Sequence, residues 1–241
     1  TRAKVRQFIE IMKNQSYPMT VSVQPEIIEA LGSSTIESDQ QLLLSLREQL
    51  RLRSVTTAPF VPIDPSMFAA MNMRQEFIEQ LRVGEDTLNK WLPGVVIHRG
   101  TYVADHFLTS AGLQLLRTAG IVSVILSPRA QQNISVSGTT NVVMRPSGVN
   151  SNNVAVIAVD DAAAQTLTRE STQRSGELSA FHTAAELLVA RDDLLVSGRP
   201  ASSLRILLSS QSGDPTVNKN LVTATSLLQG STGIRFTDMA P

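Results

Sequence analysis

The stretch FLTSAGLQLLRTAGIVSVILSP, residues 107–128, contains the two kinds of segment that decide the fold. Residues 107–120 form a predicted helix, and Gly120 stands in the position where a helix commonly stops. Residues 121–126 are almost entirely apolar, as expected of a strand in a parallel sheet that is covered on both faces. The stretch therefore predicts a helix that leads into a buried parallel strand.

The same alternation of strand and helix recurs about seven times along the chain. Each predicted strand lies beside a helical pattern, and the strands are expected at 19–24, 53–58, 94–98, 121–126, 154–159, 204–209 and 234–237. This rhythm predicts an α/β fold with mainly parallel strands and right-handed crossovers. The number of units favours a closed or nearly closed (β/α) barrel over an open sheet, in a single domain that covers residues 1–241.

Helix boundaries are indicated by proline, serine and glycine. Pro25 is expected to begin a helix after the first strand, and Asp64 is expected to cap the helix that begins at the following proline. Ser38 and Gln41 have the spacing of a capping box. A helix is predicted at 74–91, with a break at Gly84.

Composition excludes several classes of function. The 21 basic and 21 acidic residues balance, so no overall field would attract nucleic acid, and we expect no nucleic-acid partner. The absence of cysteine excludes thiolate metal sites and cysteine nucleophiles. No run of about 18 apolar residues is present, so no membrane span is predicted. His98, His106 and His182 form no zinc motif, and we expect neither a metal ion nor another cofactor.

Asp160 and Asp161 end the strongest predicted strand, VAVIAVDD at 154–161. In a barrel they would lie at the C-terminal rim, where catalytic carboxylates occur. Two adjacent carboxylates can share a proton or hold a metal ion. The simpler interpretation is that Asp161 caps the helix starting at Ala162 while Asp160 is solvated.

The segment HRGTYVADH, residues 98–106, follows the third predicted strand and is expected to be a functional loop. Its candidate residues are His98, Arg99, Tyr102, Asp105 and His106. A His–Asp pair can perform general acid–base catalysis. The alternative is that Asp105 caps the next helix and that His98 takes part in a satisfied hydrogen-bond network.

The order of these segments resembles a family of large exported actinobacterial envelope proteins, whose genes often lie beside a lipid-linked peptidoglycan precursor flippase. The resemblance is carried by MTVSVQPEIIEAL, SVTTAPFVPIDPSMFAAM, FLTSAGLQLLRTAGIVSVIL, VAVIAVDDAAAQTL, FHTAAELLVARDDLL and LRILLSSQSGDPTVNKNLVTATSLL. The family's domain is similar to the distorted seven-stranded barrels of family-57 glycoside hydrolases and polysaccharide deacetylases. The resemblance implies a fragment of a longer exported protein, an extracytoplasmic location, and a barrel whose first strand precedes residue 1.

The chain departs from the family's pattern at its candidate catalytic positions. Deacetylases need a strand-end Asp-Asp and a His-x-x-x-His pair, whereas this chain has no such histidine pair and its Asp160-Asp161 pair comes late. Gln24 stands at the first strand-to-helix corner where the family has Asp, and an amide cannot act as acid, base or nucleophile at neutral pH. The corner at Gln24 therefore reads as structural.

Two functions of different classes remain open. The first is a non-catalytic extracytoplasmic scaffold, or a domain that binds envelope proteins or cell-wall polysaccharide. The second is a carbohydrate-active hydrolase or deacetylase whose catalytic candidates are Asp160, Asp161, Asp64 and His98. Arg99, Tyr102, Asp105 and His106 are the candidate binding residues.

Overall fold

The computed structural model describes residues 2–15, 18–105, 107–126, 130, 143–144, 154–158, 176–196, 223–229 and 235. The helices are Arg2–Lys13 (α1), Pro25–Gly32 (α2), Glu37–Leu50 (α3), Pro65–Ala70 (α4), Arg74–Trp91 (α5), Ser110–Thr118 (α6) and Gly176–Val196 (α7). The strands are Thr20–Val21 (β1), Ser54–Thr56 (β2), Ile97–His98 (β3), Thr101–Ala104 (β4), Ser123–Leu126 (β5), Val143–Met144 (β6) and Ala155–Ala158 (β7). Residues 223–228 are also helical, and are called the 223–228 helix below.

The described strands form two sheets. The first has the order β1-β2-β3 and is wholly parallel. The second has the order β4-β5-β7-β6, in which β4, β5 and β7 are parallel and β6 runs antiparallel to β7. The predicted α/β class with mainly parallel strands is confirmed for these residues. The strands predicted at 204–209 and 234–237 lie outside the described residues, Arg235 apart.

A two-residue turn, Arg99–Gly100, takes the chain from one sheet directly into the other. Before the turn, the carbonyl of His98 accepts a hydrogen bond from the amide of Thr57, the residue that follows β2 (3.3 Å). After it, the carbonyl of Gly100 accepts from the amides of Val122 and Ser123 (both 2.9 Å) at the start of β5. The same short segment is therefore bonded to β2 and to β5.

Helix α5 contributes to the hydrophobic cores of both sheets. Its N-terminal half places Phe77 and Leu81 among the buried residues of α6, β4, β5 and β7. Its C-terminal half places Leu88 among those of α1, α2, α3, β1 and β2. One continuous helix thus covers the line along which the two sheets meet.

The close approach of α5 to its neighbours requires glycine at two positions. A Cβ atom at Gly84 would lie 2.1 Å from the carbonyl oxygen of Ala58, and one at Gly32 would lie 2.2 Å from the Trp91 ring. The indole of Trp91 also donates a hydrogen bond to Glu29 (2.6 Å). The predicted break at Gly84 is wrong, because α5 continues through it and the glycine provides room for the backbone that leaves β2.

Helix α3 begins at Glu37, two residues earlier than a capping box with Ser38 at the N-cap allows. Ile36 occupies the N-cap position and makes no side-chain cap bond, so the predicted cap by Ser38 is wrong. Asp39, which is almost completely buried, accepts hydrogen bonds from Arg2 of α1 (2.5 and 2.7 Å) and from Ser34 (2.7 Å). This end of the helix is therefore held by Arg2 of α1 and by Ser34, and not by a cap at Ser38.

The C-terminal end of α1 is tied to distant parts of the chain. The Arg53 guanidinium donates hydrogen bonds to the carbonyl oxygens of Met12 (3.0 Å), in the last turn of α1, and Gln15 (2.5 Å), just beyond the helix. The buried Gln15 side chain accepts a hydrogen bond from Thr225, in the 223–228 helix (3.3 Å). Elements near the two ends of the sequence therefore meet.

Helix α7 is apolar on two sides. Ala180, Ala184 and Leu187 pack against Ala224 and Leu228 of the 223–228 helix. Its other side exposes the large apolar side chains Leu178, Phe181, Val189 and Val196. None of the helices that the structure describes has both the length and the hydropathy needed to cross a bilayer.

The contact at Gly84 predicts the effect of a single methyl group. In Gly84→Ala we expect the free energy of unfolding to fall by about 1–3 kcal/mol because the added methyl collides with the Ala58 backbone. The sign of this change is diagnostic, because replacing Gly by Ala in a helix interior otherwise raises the free energy of unfolding by about 1 kcal/mol. Gly100→Ala is the control, because its Cβ would meet only the exposed Val122 side chain, which can rotate. Urea unfolding measures both, and a Gly84→Ala protein as stable as the wild type would contradict the close approach.

The Arg2–Asp39 contact predicts a dependence of stability on pH. The hydrogen bond from Arg2, followed in size of effect by that from Ser34, lowers the pKa of Asp39 from 3.8 to about 2. Because the folded pKa lies below the unfolded one, the stabilisation is present above about pH 4 and is lost as the pH falls through about 2. We expect the stability difference between wild type and Asp39→Asn to shrink over this window in urea titrations. Ser38→Ala, in the same helical turn but without an ionisable group, should show a pH-independent difference; a constant gap for Asp39→Asn would contradict the prediction.

Candidate functional site

The segment predicted to be a loop after the third strand contains a strand of its own. His98 ends β3, and Thr101–Ala104 forms β4, parallel to β5. The expectation of a loop over 98–106 is therefore wrong for its central residues. Thr, Tyr and Val favour strands, and the polar residues on either side of them gave the segment the appearance of a loop.

Tyr102 belongs to the hydrophobic core. Its ring packs edge-on against Phe77, with ring centres 6.4 Å apart, and its hydroxyl donates a long hydrogen bond to the carbonyl of Ile63 (3.4 Å). Burial raises the pKa of the Tyr102 phenol well above its usual value, and the negative charges of Asp105 and Asp64 add to the shift. The phenol is therefore held protonated, with both carboxylates near enough to act on it.

Asp64 caps helix α4, as predicted. One carboxylate oxygen accepts hydrogen bonds from the backbone amides of Ser66 (2.7 Å) and Met67 (3.4 Å). Pro65 occupies the first position of the helix, where its missing amide hydrogen costs nothing. This carboxylate thus already has a structural partner in the first turn of α4.

Arg99 is joined to β2 through a glutamate of α5. The Glu85 carboxylate forms an ion pair with Arg99 (3.2 Å) and accepts a hydrogen bond from the Thr57 hydroxyl (2.9 Å). Glu85 is largely buried, whereas the Arg99 side chain is mostly exposed. Glu85 therefore holds together the chain after β2 and the turn after β3.

His98 is half-buried at the end of β3, in register with Thr56 of β2. Within the described part of the chain its ring makes no hydrogen bond to the carboxylate of Asp64. The geometry thus does not join these two catalytic candidates directly.

The remaining candidates follow β4 and β7. Asp105 is exposed directly after β4, whereas His106, Asp160 and Asp161 lie outside the described residues. Ala104, Leu126 and Ala158 stand in register at the ends of β4, β5 and β7. The C-terminal ends of these three strands therefore lie side by side.

His182 is exposed on α7, which follows these strands in the sequence.

Gln24 has a structural position at the first strand-to-helix corner. It is the exposed N-cap residue of α2 and makes no side-chain cap bond, while Pro25 begins the helix as predicted. The amide of Glu26 donates instead to the carbonyl of Phe60 (3.1 Å), which ties the corner to the segment after β2.

Two polar residues near the site were not singled out in the sequence. Ser66 accepts a hydrogen bond from the amide of Thr109 (2.8 Å) and donates to the carbonyl of Phe107 (3.1 Å), so it links α4 to the start of α6. Glu85 is the other, and its signal in the sequence was the adjacent Gly84. A glycine inside a helical pattern often has a packing reason, and here it lets the backbone at Ala58 approach α5 beside Glu85.

Metal ligands do not converge in the described residues, where no group of three or more His, Asp or Glu side chains is placed to hold an ion. A shallow groove between α1 and α3 is lined by Arg6, Glu37, Ser38, Gln41, Leu42 and Ser45. This groove is on the helical layer, apart from the strand ends.

Comparison with known proteins adds no assignment to this geometry. Neither the scan against protein-family models nor the search of curated proteins gives a match.

The cap at Asp64 predicts the result of a substitution series. Asp64→Ala should lower the free energy of unfolding by about 0.5–2 kcal/mol, because the first amides of α4 lose their acceptor. Asp64→Ser should recover most of the loss. Gln24→Ala is a matched control, since Gln24 also precedes a helix-starting proline but makes no cap bond. Denaturant unfolding gives the values; a gain in stability for Asp64→Ala would show instead that the carboxylate is held under strain.

Proposed function

We propose that this chain is a non-catalytic extracytoplasmic scaffold or partner-binding domain of a cell-envelope protein. The observation that carries the proposal is the structural use of the described candidate residues. Asp64 caps α4, Arg99 is paired with Glu85, and Tyr102 packs in the core. A catalytic set would need several of these groups directed together at a substrate.

The protonation states of Tyr102 and Arg99 exclude both side chains as general bases. A general base must be able to take a proton near neutral pH. The raised pKa of Tyr102 keeps its phenol protonated. The guanidinium of Arg99 can bind an anion but cannot take a proton, and it is already paired with Glu85.

The finer architecture that we propose is a distorted barrel of seven or eight β/α units, in one domain. Support comes from the order of the parallel strands, β1-β2-β3 in the first sheet and β4-β5-β7 in the second, which follows the chain as in a singly wound barrel. The hydrogen bond between Gln15 and Thr225 adds to this, because a closed ring brings early and late helices together.

The envelope location and the export of a longer parent protein depend on the family resemblance of the segments quoted above. Partners of the classes expected there are other envelope proteins or cell-wall polysaccharide. A partner-binding role gains support from α7, where Leu178, Phe181 and Val189 are exposed on one side. Contiguous exposed apolar surface commonly marks a contact site.

One observation favours the second candidate, a carbohydrate-active hydrolase or deacetylase. The ends of β4 and β7 are separated by β5 alone, so their backbones are about 10 Å apart. Asp105 follows β4 directly, and Asp160 is two residues beyond the end of β7 in the sequence. Inverting glycosidases use carboxyl groups roughly 6.5–9.5 Å apart.

An assay with variants distinguishes the two functions. The purified domain is incubated with insoluble cell-wall polysaccharide, and released reducing sugar and acetate are measured in the supernatant. We expect no release above that of a heat-unfolded sample, because the described candidates Asp64, Arg99 and Tyr102 are already engaged in structural contacts. Release that disappears in Asp160→Asn or Asp105→Asn would establish the hydrolase or deacetylase instead.

Thermal unfolding of variants is a second test of the two functions, and it needs no substrate. For a scaffold in which Asp161 is a helix cap, Asp161→Ala should cost about 0.5–2 kcal/mol, Asp161→Ser should recover most of it, and Asp160→Asn should change little. Crowded active-site carboxylates behave differently, since neutralising one relieves repulsion. A clear rise in Tm for Asp160→Asn, with no loss for Asp161→Ala, would contradict the scaffold.

A further inference from the structure

The strands have an inner face, which we define as the face turned away from the two helix-lined cores. Val55 belongs to the core of the first sheet, and Tyr102 and Val124 belong to that of the second. Side chains alternate along a strand. The neighbours of these three residues, Thr56, Thr101 and Ser123, therefore point to the inner face.

Two hydroxyl groups on this inner face are buried without a partner. Thr56 and Thr101 have no solvent exposure, and among the described residues neither hydroxyl oxygen has a hydrogen-bond partner. Buried polar groups are nearly always satisfied by protein or by ordered water. Two orphan hydroxyls on contacting strands, β2 and β4, therefore call for a common explanation.

We propose that an ordered internal water molecule binds on the inner face and bridges the hydroxyls of Thr56 and Thr101. A buried water needs two to four polar partners, and Ser123 supplies a third hydroxyl. Ser123 is buried and stands in register with Thr101 on the neighbouring strand β5. A hydroxyl both donates and accepts, as water does, so one molecule can satisfy all three groups.

The site would take water rather than a larger ligand. Thr56 and Thr101 are closed to solvent, so a solute of greater size could enter only if the strands separated. Thr101 is the first residue of β4, at the opposite end of that strand from Asp105, whereas Thr56 ends β2 in register with His98. The proposal is independent of whether the domain is a scaffold or an enzyme.

A double-mutant cycle tests the shared water. Thr56→Val and Thr101→Val keep the side-chain shape and remove only the hydroxyl. Each should lower Tm by about 2–8 °C, because the water loses a partner and the remaining hydroxyls are left poorly satisfied. The double variant should lose less than the sum of the two, since both hydroxyls are then gone. Thr56→Ser and Thr101→Ser retain the hydroxyls, and their effects should add.

Three outcomes would overturn the proposal. A rise in Tm for both valine variants would mean that the hydroxyls are simply unpaired in the fold. Falls that add fully would mean that each hydroxyl has its own partner. A high-resolution crystal structure of the unaltered protein gives the direct answer, even if a variant does not fold. It should show one ordered oxygen within hydrogen-bond distance of both hydroxyls, and a protein atom in that place, or no ordered oxygen, would contradict it.

Discussion

The arrangement of this chain depends on the hydrogen bonding of one short segment, residues 98–100, between two sheets. The carbonyl of His98 is bonded to the chain after β2, and that of Gly100 is bonded to the start of β5. Both sheets are therefore aligned by the same three residues, and α5 covers the junction with a separate apolar group for each side. Glu85 adds a side-chain connection across the same place, through Thr57 and Arg99. A polar cluster at the strand ends is what such a junction requires, whether or not it acts on a ligand.

Elements whose signals are local could be predicted from the sequence. The apolar run at β5, the Asp-Pro start of α4 and the Gln-Pro start of α2 each specify their own conformation, and the structure confirms them. Features that depend on residues far apart in the sequence could not be predicted in this way. Asp39 is bonded to Arg2 of α1, 37 residues away in the sequence, so the pattern around Ser38 resembled a cap that does not form. Gly84 resembled a helix break because the backbone that it accommodates belongs to another part of the chain.

The candidate site shows the same division. The cap at Asp64 follows from its position before a proline, and the structure confirms it. The burial of Tyr102 could not be read locally, because it depends on Phe77 of α5 and on the extension of the sheet through β4. The polar residues within 98–106 indicate a functional loop when the sequence is considered alone. Once β4 is in place they are distributed between a turn, a core face and a strand end, which changes what each side chain can do.

The hydrogen bond between Gln15 and Thr225 joins residues 210 positions apart, and this separation has a meaning in time. At a synthesis rate of about 5–20 residues per second, Thr225 is made roughly 10–40 s after Gln15. Once residue 98 has been made, the first sheet and its helices are complete in the nascent chain, while the end of α1 still lacks one of its covering elements. The early part of the domain must therefore persist as a partly covered intermediate, and its exposure to chaperones and proteases is set by the length of the segment between the two residues.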